Sequence, residues 1–154
     1  MRGVETIPRR LWLALGCALC LAGPAAAREA AITGIVIGDA WSRPTMEGMS
    51  MGVAYFTIIN GRDAEDLLLS ASTPVAGHVE IHETKFEAGM AKMRPLTAIR
   101  VPARGRVAVA PSGIHLMLVD LKAPLVAGTK VPMILQFRNA GRIEIQLTVS
   151  TRTE

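Results

Sequence analysis

The chain has 154 residues and only two cysteines, Cys17 and Cys20, with none after them. Both fall within an apolar run at residues 11–23, which follows Arg2, Arg9 and Arg10 and precedes Ala25, Ala26 and Ala27. A positive start, a short apolar stretch and small residues at its end make a secretory signal peptide, and cleavage is expected after Ala27. The C-x-x-C is then incidental to a discarded segment rather than a redox pair. Neither cysteine sits in a good lipid-attachment context, because Leu19 directly precedes Cys20 and Ala14 stands three before Cys17. The adjacent Arg9 and Arg10 leave a twin-arginine export signal as the alternative to the general route. A working domain over residues 28–154 has no thiol, so it has no disulfide framework and no thiolate to offer a metal.

Other absences narrow the class further. The apolar run is about thirteen residues, short of the roughly 20 that a membrane-spanning helix needs, and no later stretch of that length is free of charges and turn residues. An exported, non-spanning, periplasmic protein is expected. Loss of Arg2, Arg9 and Arg10 lowers Lys plus Arg from 17 to 14, and loss of Glu5 lowers Asp plus Glu from 13 to 12. The net charge after cleavage is therefore about +2, which gives no nucleic-acid signal. There is no Gly-x-Ser-x-Gly. Ser112 lies in a Pro111-Ser112-Gly113 turn, so a hydrolase built from His115 with Ser112 or Asp120 is disfavoured and the chain is not expected to be an enzyme.

No window carries a convincing helical period, and no repeat, linker or low-complexity tract is visible. Strand patterns instead fill residues 31–37, 52–60, 67–73, 75–86, 93–101, 106–109, 114–121, 131–139 and 142–151. Asn60-Gly61, Ala88-Gly89, Arg104-Gly105, Ala127-Gly128 and Asn139-Ala140-Gly141 punctuate them. Alternation is clean where Val79 and Ile81 oppose His78, Glu80, His82 and Thr84, and where Ile143, Ile145, Leu147 and Val149 oppose Glu144, Gln146 and Thr148. One domain of two packed antiparallel sheets, or a small barrel, follows.

Against this background four soft donors stand out: His82, ten residues, Met93, twenty-one residues, His115, one residue, Met117. Positions two apart on a strand face the same way at about 6.6 to 6.8 Å, so His115 and Met117 can converge on one ion. The Gly-containing turn near Ala88-Gly89 can fold Met93 back beside His82. Zinc sites use thiolate, imidazole and carboxylate rather than thioether, and calcium and magnesium take oxygen. Two thioethers with two imidazoles suit Cu(I), while a blue-copper centre would need a Cys thiolate. Each residue also has a plainer reading. A Met in a β domain commonly fills core, Val119 and Leu121 continue the Met117 face, and Ile114, Leu116 and Leu118 are equally apolar. Periodicity alone does not say which face is buried.

The spacing of the four donors resembles the signature of the periplasmic copper chaperones of the PCuAC family, with no slip in either gap. Ala54-Tyr55-Phe56-Thr57-Ile58-Ile59-Asn60, Met93-Arg94-Pro95 and Gly113-Ile114-His115-Leu116-Met117-Leu118 also resemble that family, and the likeness spans roughly residues 35–149. It implies a cupredoxin-like antiparallel β-sandwich of Greek-key type. Within it, His82, Met93, His115 and Met117 hold one Cu(I) per chain for delivery to the dinuclear CuA centre of an oxidase subunit or to another copper-transfer protein. A copper-sequestering protein without a dedicated client is the alternative, because it needs the same site. Thr84 stands where some relatives have another Met or His, and the chain ends without their His- and Met-rich tail.

Several neighbours have double readings. Met46, Met49 and Met51 form either an accessory Cu(I) site or a loop whose side chains pack on apolar surface. His78 reads as a surface residue. Glu80, Glu83 and Lys85 either tune His82 or form a solvated face, and Arg100, Arg104 and Arg106 read as an exposed basic turn, with a docking patch as the alternative.

Overall fold

In the computed structural model, residues 34–152 are described. The leader assigned to residues 1–27 lies outside them. The described chain is all β: β1 (Ile35–Ser42), β2 (Met51–Asn60), β3 (Asp66–Ser72), β4 (His78–Glu87), β5 (Met90–Pro95), β6 (Ile99–Val101), β7 (Arg106–Val109), β8 (Ile114–Val119), β9 (Lys130–Phe137) and β10 (Arg142–Val149). No helix occurs among the described residues, as the missing 3.6-residue period predicts.

The strands form one hydrogen-bonded path in the order β5-β4-β8-β2-β1-β10-β9-β3-β6, with β7 pairing the far half of β2. Every ladder is antiparallel except β1 with β10, which runs parallel through Trp41 and Thr148, a departure from a wholly antiparallel sandwich. β3, near one end of the path, packs against β4, near the other. The sheet is therefore bent round a single core, to which Phe56, Leu68, Ile81, Ile99, Leu116, Leu118, Leu135 and Leu147 all contribute. Each such side chain, taken from water to the interior, stabilises the fold by roughly 1.5 to 3 kcal/mol.

Two segments differ from the sequence expectation for identifiable reasons. The expected strand at 93–101 divides into β5 and β6, which sit at opposite ends of the path. Pro95 faces His82 at a position that makes no bond to β4, the Leu96 amide makes a last in-register bond to the Ile81 carbonyl at 2.8 Å, and β6 starts only at Ile99. At the start, β1 runs on past residue 37 to Ser42. Gly38 still pairs with Thr57, then Asp39, at φ 54°, and Ala40 bulge opposite Phe56, and the ladder resumes at Trp41.

The β4–β5 hairpin places part of the candidate site. Its two-residue turn, Ala88-Gly89, has φ values of 51° and 78°. Two successive positive values match the primed turn whose twist suits a tight hairpin. Glu87 therefore faces Met90, and counting back along the ladder Thr84 faces Met93. β5 pairs only with β4 and all its residues are exposed, so the hairpin is the outer edge of the sheet.

Candidate metal centre

Register brings the four candidate donors to one face. Ile81, Leu116 and Leu118 point into the core, so the alternate positions of β4 and β8 point outward. His82 lies directly opposite His115, and Glu80 lies opposite Met117. Across the hairpin, Thr84 lies opposite Met93. His82, His115, Met117 and Met93 thus share the outer face of β5, β4 and β8. The choice of face that periodicity left open is decided by Ile81 and Leu116, which pair across the ladder and are both buried.

The two imidazoles form the centre of the patch. Their ring centroids are 6.1 Å apart with planes tilted by 52°. His115 is buried at 4% exposure, and its Nδ1 lies 3.0 Å from the Gly113 carbonyl oxygen. A carbonyl only accepts, so Nδ1 carries the hydrogen and the lone pair sits on Nε2. His82 has the opposite arrangement: its Nε2 donates to Glu80 Oε2 at 2.9 Å, leaving the lone pair on Nδ1. That Nδ1 is enclosed and meets no hydrogen-bond partner. Buried polar atoms are nearly always paired, so an unpaired one calls for an explanation. A ligand lone pair held ready for a metal, with the opposite ring nitrogen fixed by an acceptor, is the arrangement metal-binding histidines commonly have.

Glu80 accepts from two rings. Its other oxygen lies 3.2 Å from His78 Nε2, and the bonds from His82 and then His78 hold its carboxyl below the usual glutamate value. Of the charged residues expected to tune His82, Glu80 is the one in contact. Glu83 instead pairs with Lys85 at 3.2 Å. His78 is an exposed residue that reaches Asp120 Oδ2 at 3.8 Å. The Gly113 carbonyl was not anticipated from sequence, although a turn glycine two residues before His115 was visible; it also accepts the Thr84 amide at 3.1 Å. The expected basic turn is largely neutralised: Arg104 binds Asp63 at 2.7 and 2.9 Å, and Arg100 binds Glu65.

The thioethers flank the imidazole pair on opposite corners. Met117 is two residues along from His115, half-buried, while Met93 on the edge strand is 54% exposed. On a flat sheet that register would separate their Cα atoms by about 17 Å. His82, His115 and Met117 are the compact group, and Met93 approaches from the other side of β4. Met49 and Met51 border the same cavity as Met117, about 180 Å³ in volume. Among the described residues no three His, Cys, Asp or Glu side chains are placed to hold a metal.

Known proteins share this fold. The family model "Putative lipoprotein LpqE-like" matches residues 35–149. "Putative lipoprotein Lxx21020" of Leifsonia xyli subsp. xyli is 29% identical over 135 residues, covering 87% of this chain and 80% of its own. Among solved structures, the "Copper-bound PCuAC domain from PmoF2" superposes with a TM-score of 0.67 at 28% identity, over 77% of this chain and 94% of that domain. The Cu(I) form of DR1885 from Deinococcus radiodurans gives 0.63 at 30% identity, over 77% of this chain and 79% of that protein. With one family model spanning most of its length and copper-carrying PCuAC domains sharing its architecture, this chain belongs to the LpqE-like family of PCuAC domains.

Proposed function

We propose that this protein is an exported Cu(I) carrier that holds one ion at His82, His115, Met117 and Met93 and releases it to a cuproprotein outside the inner membrane. The carrying observation is the enclosed, unpartnered Nδ1 of His82 beside His115. Each ring has one nitrogen committed to an oxygen acceptor and one left with its lone pair, on a face that also bears two thioethers. Kinship with PCuAC domains solved with copper supports the same metal. Copper here is cargo, and no redox step is required of the protein.

The donor chemistry suits transfer. Imidazole and thioether bind Cu(I) in their neutral forms, so loading releases no proton from a thiol and creates no thiolate trap. Met93, on the exposed edge hairpin, closes over the ion last and leaves first. A client's paired thiolates, such as those of a CuA subunit, then displace the remaining donors one at a time. The arginine-led segment at residues 1–27 directs export.

Anaerobic titration against a chromophoric Cu(I) chelator tests the site. One tight equivalent is expected, and His115→Ala with Met117→Ala should weaken it at least about 100-fold, roughly 2.7 kcal/mol. Unchanged affinity in that double variant would remove the assignment. Deletion of the gene under copper limitation separates delivery from storage: loss of oxidase assembly marks a chaperone, and copper sensitivity with normal oxidase marks a sequestering protein.

A further inference from the structure

The methionines sort into two kinds by environment. Met133 is core filling, 1% exposed. Met49 and Met51 are 46% and 49% exposed, so packing does not explain them. The space beneath them is already taken: a Cβ at Gly52 would meet Leu125 Cδ1 at 3.1 Å and Leu121 Cδ1 at 3.4 Å. Yet the two side chains are not scattered over the surface. Met51 and Met117 lie on the same outer face, since Met51 pairs with Val119 and Val53 pairs with Met117 on the adjoining strand. Met49, Met51 and Met117 line one small cavity with Pro44 and Val53.

The loop that carries them is pinned at both ends. The Thr45 amide donates to the Leu125 carbonyl at 3.0 Å, and the Leu125 amide returns a bond to Thr45 Oγ1 at 2.8 Å. At the other end the Leu121 amide donates to the Ser50 carbonyl at 2.9 Å. Between them Gly48, at φ 81°, closes a turn in which the Met46 amide donates to Met49 Sδ at 3.4 Å. Fixing the backbone before an ion arrives removes part of the ordering cost of binding it.

We propose that Met49, Met51 and Met117 form a thioether station for a soft monovalent cation, next to the histidine pair and sharing Met117 with it. This rests on the Cu(I)-carrier reading above. The ion arrives at three neutral sulfurs at the rim, and Met117 stays bound while His115 Nε2 and then His82 Nδ1 replace Met49 and Met51. No electron or proton moves. Three thioethers bind more weakly than a set containing imidazole, so the ion moves inward down a gradient of affinity.

The test uses Ag(I), a redox-inert soft monovalent cation, and protein labelled with ¹³C at the methionine methyl groups. In the His82→Ala, His115→Ala protein, the methyl signals of Met49, Met51 and Met117 should shift together and saturate while those of Met46, Met90 and Met93 stay in place. Adding Met49→Leu and Met51→Leu should abolish the shift. No shift, or an equal shift of all exposed methionines, overturns the station. If the histidine variant fails to fold, Met49→Leu with Met51→Leu in the otherwise unchanged chain decides. It should keep the tight Cu(I) equivalent but load from a chelator about tenfold more slowly, and an unchanged loading rate overturns the proposal. Absence of any tight Cu(I) equivalent in the unaltered protein would instead overturn the carrier reading, so the two failures are distinguishable.

Discussion

Asp66 and His82 are both polar side chains largely shut off from water, one wholly and one at 16% side-chain exposure, and their hydrogen bonding differs in kind. Asp66 is fully enclosed, and its oxygens accept from the amides of Leu67 at 2.8 Å, Asn139 at 2.9 Å and Ala140 at 2.8 Å, with Arg62 Nη1 at 3.4 Å. Nearby Asn60 is equally occupied, donating to the carbonyls of Ala64, Val101 and Pro102 and accepting from the Arg62 amide. At the other end of the sheet path, His82 uses Nε2 on Glu80 and leaves Nδ1 with nothing. Two enclosed nitrogens among the described residues have no hydrogen-bond partner: Arg152 Nε, whose guanidinium lies over the Trp41 ring at 4.6 Å, and His82 Nδ1, which stands where the soft donors gather. A saturated buried polar group reads as structural; an unsaturated one beside imidazole and thioether donors marks a candidate site.

The comparison breaks most visibly at the saturated end. Asp66→Ala strips the Asn139 and Ala140 amides of their partner at an enclosed position, which should cost about 3 kcal/mol. A lowered urea midpoint at neutral pH would register this. Copper stoichiometry of the folded protein should be unchanged, since the change lies in the β3–β9 region and touches none of the four donors. A loss of copper binding in folded Asp66→Ala protein would mean that the two ends are not separable.

The unsaturated end should respond in the opposite sense. On the proposed assignment His82→Leu removes a donor, and the affinity for Cu(I) should fall about 100-fold, roughly 2.7 kcal/mol. It also removes an enclosed nitrogen without a partner, so the metal-free protein should be as stable as the original or more so, by up to about 1 kcal/mol. Thermal unfolding of the metal-free forms and chelator competition of the loaded forms check the two halves. A metal-free protein destabilised by several kcal/mol would make His82 a structural residue like Asp66.

Much of this contrast was legible in the sequence, and the residues show why some was not. The His82 to Met117 spacing could be read because period-two alternation and the Ala88-Gly89 turn are local signals, and the ladder turns them into one face. The buried side of β8 could not, because Leu116 and Met117 are both apolar and only pairing with Ile81 separates them. The strand pattern stops at residue 37, whereas β1 continues through a bulge at Asp39 and Ala40, set by a positive φ that composition does not announce. The pattern runs unbroken over 93–101 because proline is tolerated on an edge strand, so Pro95 gives no clear stop between β5 and β6. The tautomers depend on Glu80 Oε2 and the Gly113 carbonyl, and a backbone acceptor leaves little trace in composition. Asp66 drew no notice, since its partners Asn139 and Ala140 lie 73 and 74 residues away.

The smallest expected effect comes from a third kind of polar contact, one exposed on both sides. Asp63 and Arg104 join two turns at 2.7 and 2.9 Å with both side chains largely in solvent. The hydrogen bond from Arg104, and then its charge, hold the Asp63 carboxyl below its ordinary value of 3.8. A carboxyl depressed in the folded state stabilises the fold above its unfolded value, and that contribution is lost as pH falls through the lower folded value. Asp63→Asn should therefore lower the urea midpoint slightly at neutral pH, less so in high salt, and the difference from the original protein should vanish once pH falls below the lowered folded value. At neutral pH the loss should be well below that of Asp66→Ala, because removing the Asp63 carboxylate leaves no enclosed amide without a partner. Equal losses in the two variants would show that saturation of backbone donors is not what sets the enclosed carboxylate apart from the exposed one.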